Sequence, residues 1–202
     1  VSQQLFAYNL INVGESVKEL SLDSKIWATF QNGIVSDVTG SIDLNRLTFN
    51  NINSPKLVDS SLEFSLDRKA EKQYLSLFNI DLYNGISHLK LPLVQAIYNT
   101  LNKGFIEQLS VLNLDLTAIG KELPKLSFVA PELKAFLAKL NAQGMLENIV
   151  VNWADSDLLG FELKADLYKL SANSYIGAPA LSGVSGLLQM TALTGSIDLQ
   201  TE

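Results

Sequence analysis

The sequence predicts a mainly β protein, in which consecutive antiparallel hairpins form a long curved, twisted sheet with an apolar concave face, interrupted by one or two short helices. Two observations predict the sheet: apolar and polar residues alternate along many short runs, and polar segments rich in Asn and Gly separate these runs. Alternation places one apolar row on one face of a strand, and Asn and Gly suit tight turns. One stretch, about residues 116–144, has helical spacing instead.

Alternating runs in the first part of the chain, about residues 1–115, predict strands with an apolar row on one face. The rows are Ile26-Ala28-Phe30, Ile42-Leu44 and Leu62-Phe64-Leu66. Polar turn segments lie at 31–33, 67–72 and 84–85. Because turns of this length join neighbouring strands, the pattern indicates a meander of hairpins.

The run from Leu93 to Leu101 fits two interpretations. Leu93, Ala96, Ile97 and Leu101 have helical spacing, whereas Val94, Ala96 and Tyr98 alternate as in a strand. Turn residues follow at 99–104, and a second alternating run covers 106–116. The sequence therefore favours a hairpin over a helix here.

The helical segment contains one apolar stripe, made by Leu133, Phe136, Leu137 and Leu140 at i, i+3, i+4 and i+7. Pro131 suits the first turn of this helix, and Gly144 is expected to help end it. A shorter helix is predicted from 116 to 123, ended by Pro124. Helices this short need tertiary packing, so we expect them to lie against the sheet.

The last part of the chain, about residues 145–202, returns to strands. Its rows are Phe161-Leu163-Ala165-Leu167 and Ile197-Leu199. Asp155 and Asp157 are interpreted as a polar hairpin loop, and 183–186 as a turn that leads into a strand. The hexapeptide Thr-Gly-Ser-Ile-Asp-Leu occurs at 39–44 and at 194–199, too far apart for a short repeat. Recurrence of a turn glycine before an alternating strand is favoured over a β architecture built by repetition.

Composition excludes several classes of function. The net charge of −6 and the scattered basic residues argue against nucleic-acid binding, and no run of about 18 apolar residues is present. Without cysteine and with His88 as the single histidine, a zinc site or a Ser-His-Asp triad has little support, and no cofactor is predicted. Yet 47% of residues are hydrophobic, so a core, a partner or a ligand must cover much apolar surface.

Two motifs point to a family. The first joins Leu123-Pro-Lys-Leu-Ser-Phe-Val-Ala-Pro-Glu-Leu133 to Leu137-Ala-Lys-Leu-Asn-Ala-Gln-Gly-Met-Leu-Glu-Asn-Ile149, and the second is Ala178-Pro-Ala-Leu-Ser-Gly-Val-Ser-Gly186. Together they resemble the YhdP branch of the AsmA-like bacterial envelope proteins. Ala180 stands where that pattern often has Gly, and the close correspondence covers about residues 105–199.

This resemblance implies a function for the whole chain, residues 1–202, as one segment of a longer periplasmic β-groove. Such proteins are anchored in the inner membrane of Gram-negative bacteria by an N-terminal helix, which would lie outside this chain. Their apolar groove is thought to shuttle phospholipid towards the outer membrane, which supports the barrier function of that membrane. The expected partners are phospholipid acyl chains, with no enzymatic step.

The apolar rows supply the candidate groove residues: Ile26, Phe30, Ile42, Leu44, Leu62, Phe64, Leu66, Phe161, Leu163, Ile197 and Leu199. The alternative hypothesis is a structural β scaffold of an envelope or surface protein, in which the same rows fill a closed core and no lipid is carried. An enzyme is a third hypothesis, for which the sequence offers no paired catalytic groups.

Overall fold

The computed structural model describes residues 17–49, 57–86, 88–100, 105–125, 131–154, 160–175, 179–191 and 193–199. Within these ranges, ten strands form one antiparallel sheet in which each strand pairs with its neighbours in sequence. They are β1 Val17–Gln31, β2 Ile34–Phe49, β3 Leu57–Lys69, β4 Lys72–Tyr83, β5 His88–Asn99, β6 Phe105–Asp115, β7 Gln143–Trp153, β8 Phe161–Ala172, β9 Leu181–Thr191 and β10 Gly195–Leu199. The predicted meander is confirmed, including the hairpin favoured for the run after Leu93.

Among the described residues between β6 and β7 there are two short helices. Helix α1, Leu116–Glu122, is capped by the Asp115 carboxylate, which accepts from the Ala118 amide at 3.0 Å. A 3₁₀ turn, Leu123–Lys125, follows and contains Pro124, so the α-helix ends before the proline as expected. Helix α2, Pro131–Leu140, begins at its proline. The prediction of two helices in this segment is confirmed.

Helix α2 does not end at Gly144, and that prediction is wrong. The helix ends at Leu140, and Asn141, at φ 43°, supplies the left-handed residue that often closes a helix. Gly144 lies inside β7 at φ 102°, where a Cβ would come within 2.5 Å of the Lys169 carbonyl oxygen on β8. Glycine is required there by a close approach of two strands.

Several strands contain a bulge, where one strand carries an extra residue. Asn45, Asn79 and Asn148 occupy such positions in β2, β4 and β7. Asn79 and Asn148 have φ near +49°, which asparagine tolerates better than most residues. Each of the three side chains donates to a carboxylate on the adjacent strand: Asn45 to Asp23 at 2.9 Å, Asn79 to Glu63 at 3.3 Å and Asn148 to Asp166 at 2.8 Å. Bulges of this kind bend and twist a sheet.

The sheet curves towards the face that carries the helices. Leu133 of α2 packs against Leu57 of β3, while the Lys139 carbonyl, near the other end of α2, accepts from the Asn173 side chain just after β8. The distance from β3 to β8 is about 24 Å along a sheet, whereas the step of six positions from Leu133 to Lys139 rises about 9 Å along a helix. One short helix reaches both strands because the sheet is curved, so the helices lie on its concave side.

Two remaining sequence predictions concern loops. The segment 183–186 is not a turn before a strand, because it forms the first half of β9, with Gly183 at φ 64° and Gly186 at φ 152°. Gly186 lies so close to the Asp198 backbone of β10 that a side chain would clash. Asp155 and Asp157 fall outside the described residues. The strands on either side, β7 and β8, do form an antiparallel pair.

Candidate functional site: an apolar face across the sheet

One row of paired residues crosses all ten strands without a polar side chain. Residues opposite each other in an antiparallel pair share a face, so the pairing register defines the row. From β1 to β10 this first apolar row is Ala28, Val38, Leu66, Leu75, Ala96, Leu109, Val151, Leu163, Met190 and Gly195. The row is continuous through every printed pairing, and it lies on the same face as the helices.

A second apolar row runs beside the first, two residues along each of the ten strands. It contains Ile26, Gly40, Phe64, Leu77, Val94, Val111 and Ile149 on β1 to β7 and Ala165, Leu188 and Ile197 on β8 to β10. A bulge in β7 interrupts the pairing between its two parts. The two rows together form an apolar strip across the sheet.

The opposite face is polar along the intervening row. That row is Trp27, Thr39, Ser65, Ser76, Gln95, Ser110, Val150, Lys164, Gln189 and Ser196. Eight of these ten side chains are polar or charged. Along these rows the sheet therefore presents an apolar face and a mainly polar face across all ten described strands.

All the groove candidates predicted from the sequence lie on the apolar face. Ile26, Phe64 and Ile197 belong to the second row, and Leu66 and Leu163 to the first. Ile42 pairs with Leu62 one step further on, Leu44 packs against Leu57, and Leu199 pairs with Gly186. Phe30 and Phe161 lie beyond the first row, two residues from Ala28 and Leu163.

Packing is tight at one strand end of this face and open at the other. Near the helices, Leu57, Ile80, Leu89, Leu167 and Leu170 are all buried. In the first apolar row, at the opposite end, Leu75 is 37% exposed and Met190 is 38% exposed. On the outer strands Ile26, Phe30 and Leu199 are more than half exposed. The helices thus close one side of the apolar strip and leave the other side in solvent.

The polar face carries ionic contacts between neighbouring strands. Asp81 on β4 accepts from His88 Nδ1 at 2.6 Å and contacts Lys90 Nζ at 3.3 Å, both on β5. Burial raises the pKa of the Asp81 carboxyl, but the hydrogen bonds from His88 and Lys90 outweigh it, so this pKa is lowered overall. His88 also stacks on Tyr83, with ring centroids 4.4 Å apart. His88 is therefore a partner in a strand-to-strand contact, which suits the structural role expected of a single histidine.

A second ionic contact joins three strands. Lys72 of β4 pairs with Glu107 of β6, and Asn99 of the intervening β5 donates to the same carboxylate at 2.6 Å. The hydrogen bond to Lys72, then that to Asn99, lowers the pKa of Glu107, and the same contact raises the pKa of Lys72. These groups hold β4, β5 and β6 together where β4 begins and β5 ends.

Sequence reasoning missed the middle of the apolar face. Leu75, Leu77, Leu109, Val111 and Val151 belong to its rows, but none was proposed as a groove residue. In β4 the residues of the apolar face are 75, 77, 80 and 82, because the bulge at Asn79 shifts the alternation by one, and Phe78 lies on the other face. The apolar content of these strands was the only signal in the sequence that could have indicated them. The register that aligns neighbouring strands cannot be deduced from the sequence of one strand alone.

Within the ranges that the structure describes, no group of three His, Cys, Asp or Glu side chains is placed to hold a metal ion. In the same ranges, none of the helices is both long enough and apolar enough to span a membrane.

Fold and face together define a class of protein, namely an open antiparallel meander that exposes one long apolar surface. A family model described as YhdP protein matches residues 6–202. The chain therefore belongs to the YhdP family, a family of AsmA-like bacterial envelope proteins. No curated protein and no solved structure matches the chain.

Proposed function

We propose that this chain is part of a periplasmic conduit that moves phospholipid between the inner and outer membranes of a Gram-negative bacterium, in a protein anchored in the inner membrane. The observation that carries the proposal is the first apolar row, which crosses ten strands without a polar side chain. Family membership supports the envelope setting. On this proposal the apolar strip is the floor of the groove.

The energetics of an apolar strip suit a lipid cargo. Each methylene that leaves water for apolar contacts gains about 0.8 kcal/mol. Because the two apolar rows offer similar contacts at every strand, an acyl chain gains little by stopping at one place. A continuous apolar floor therefore favours sliding.

The dimensions also suit such a cargo. Nine spacings between ten strands correspond to about 43 Å along the sheet. One bilayer leaflet has a hydrocarbon depth of about 15 Å, which is half of the full core. The floor is thus longer than one acyl chain, as transport from strand to strand requires.

The alternative hypothesis, a structural scaffold with a closed core, requires a second layer of structure that covers the apolar rows. Among the described residues only the helical segment packs on that face, and it covers the opposite strand end from Leu75 and Met190. The exposure of these two side chains favours the conduit over the scaffold.

The test is to measure phospholipid bound to the purified chain by mass spectrometry after expression in a bacterial host. Met190→Asp places a charge on the apolar row, and Gln189→Asp places the same charge on the adjacent polar position of β9. We expect several-fold less lipid with Met190→Asp and wild-type lipid with Gln189→Asp. Equal lipid in both variants, with circular dichroism showing that both are folded, would contradict the proposal.

A further inference from the structure

Three polar side chains form a short row at the open margin of the apolar face. Arg68 of β3 pairs with Gln73 of β4, and Gln73 pairs with Tyr98 of β5. These positions lie two residues beyond Leu66, Leu75 and Ala96 of the first apolar row. Paired side chains of this kind have Cβ atoms about 5 Å apart. We call Arg68, Gln73 and Tyr98 the rim row.

Contacts on the other face place the rim row on the apolar side. Lys69 Nζ lies 5.5 Å from the centre of the Tyr74 ring, so the two residues share a face. Tyr74 is adjacent to Leu75 of the first apolar row, so that shared face is the polar one. Arg68 and Gln73 precede them by one residue on the same strands. Successive side chains of a strand point to opposite faces, so Arg68 and Gln73 point to the apolar face.

The Arg68 guanidinium has no carboxylate partner within the described part of the chain. The other arginine, Arg46, lies on the polar face and pairs with Glu19 at 3.5 Å. Nearby, Lys72 pairs with Glu107 on that polar face. An arginine carries five N–H donors in a planar fork that matches a phosphate or carboxylate.

Aromatic side chains continue the same margin on other strands. Phe30, Trp153 and Phe161 each lie two residues beyond the first apolar row, at the position that Tyr98 occupies on β5. Trp153 and Phe161 are paired. Aromatic residues are favoured where an apolar phase meets a polar one, as at the surface of a bilayer. The margin thus resembles a boundary between acyl chains and head groups.

We propose that the rim row binds the phosphate of a phospholipid whose acyl chains lie on the apolar rows. The Arg68 guanidinium, the Gln73 amide and the Tyr98 hydroxyl donate to the two unesterified oxygens of the phosphodiester, each of which can accept more than one hydrogen bond. This inference rests on the proposed phospholipid conduit and adds the residues that bind the head group. Because Arg68 is exposed to solvent, the contact is weak enough to release the head group as the lipid moves.

The experiment compares two fluorescent lipids with identical acyl chains, phosphatidylglycerol and diacylglycerol, binding to the chain at about 0.15 M salt. Arg68→Gln removes the charge from the rim row, and Arg46→Gln removes the same charge from the polar face. We expect Arg68→Gln to bind phosphatidylglycerol about tenfold more weakly, in line with the loss of a charge-assisted hydrogen bond, and diacylglycerol unchanged. Arg46→Gln is expected to bind both lipids as the wild type does.

The possible results separate the two proposals. If the wild type binds both lipids and Arg68→Gln binds them equally well, the phosphate site is overturned and the conduit stands. If the wild type binds neither lipid, both proposals are overturned. A last measurement adds inorganic phosphate at the same concentration as phosphatidylglycerol. If the phosphate displaces the lipid, the rim row binds free phosphate and the lipid assignment is overturned.

Discussion

Gly40 lies in the middle of β2, in the second apolar row between Ile26 and Phe64. A Cβ at this position would lie 2.8 Å from two atoms of the Phe64 ring and even closer to the Lys25 carbonyl oxygen. The glycine therefore lets a large aromatic ring cover the strand. The hairpin turn that joins β1 to β2 lies earlier, at Asn32 and Gly33, within the polar segment 31–33 where the sequence predicts a turn.

We expect Gly40→Val to destabilise the chain by about 1–3 kcal/mol, because Phe64 and the neighbouring strand must shift. The matched control is Gly120→Ala in α1, where nothing lies within 4 Å of the new Cβ. That change is expected to be neutral or to stabilise by up to about 1 kcal/mol. Urea unfolding measures both, and an unchanged midpoint for Gly40→Val would contradict the packing described.

Asp81 makes the stability of the folded chain depend on pH in the acid range. Its folded-state pKa is lowered, so its contribution to stability is present above the ordinary carboxyl pKa and is lost as pH falls through the lowered value. We expect Asp81→Asn to cost about 1 kcal/mol or less at pH 7. The difference from wild type should vanish in acid, which unfolding curves taken from neutral pH down to about pH 2 can follow. A difference that stays constant with pH would contradict this assignment.

Among the strands, bulges explain why alternation predicted where the strands lie but not, in every strand, which residues share the apolar face. The runs around Phe64 and Leu163 alternate without interruption, and their candidate residues lie on the apolar face. In β2 and β4, by contrast, the apolar spacing changes from two to three at Asn45 and Asn79. An asparagine in a strand looks like an ordinary polar residue, so a single sequence does not reveal the change of phase.

The bulge at Asn79 can be tested directly. Because φ is 49° there, Asn79→Val is expected to destabilise by about 1–2 kcal/mol, since a branched side chain clashes in the left-handed region. Asn79→Gly relieves the backbone but loses the hydrogen bond to Glu63, so it should cost less. Thermal unfolding of the two variants gives the order, and a more stable valine variant would show that the bulge is not formed.

At the scale of the whole molecule, function depends on register across many strands. Composition and alternation predicted an apolar concave face, and the two rows provide it. The rim row was hidden because Arg68 sits in a stretch that reads only as a polar turn, 67–72. The position of the rim row beside the apolar rows follows from the pairing of three strands. The local sequence pattern of one strand carries no information about that pairing.

If acyl chains lie on the apolar rows, site-specific photo-crosslinking to phospholipid in living cells should capture them there. A photoreactive amino acid is introduced at Leu75, Leu109 and Met190 of the first apolar row, and at Gln95, Ser110 and Gln189 of the polar row. We expect lipid adducts at the first three positions and none at the second three. Adducts of equal yield on both faces, or none on the apolar rows, would contradict it.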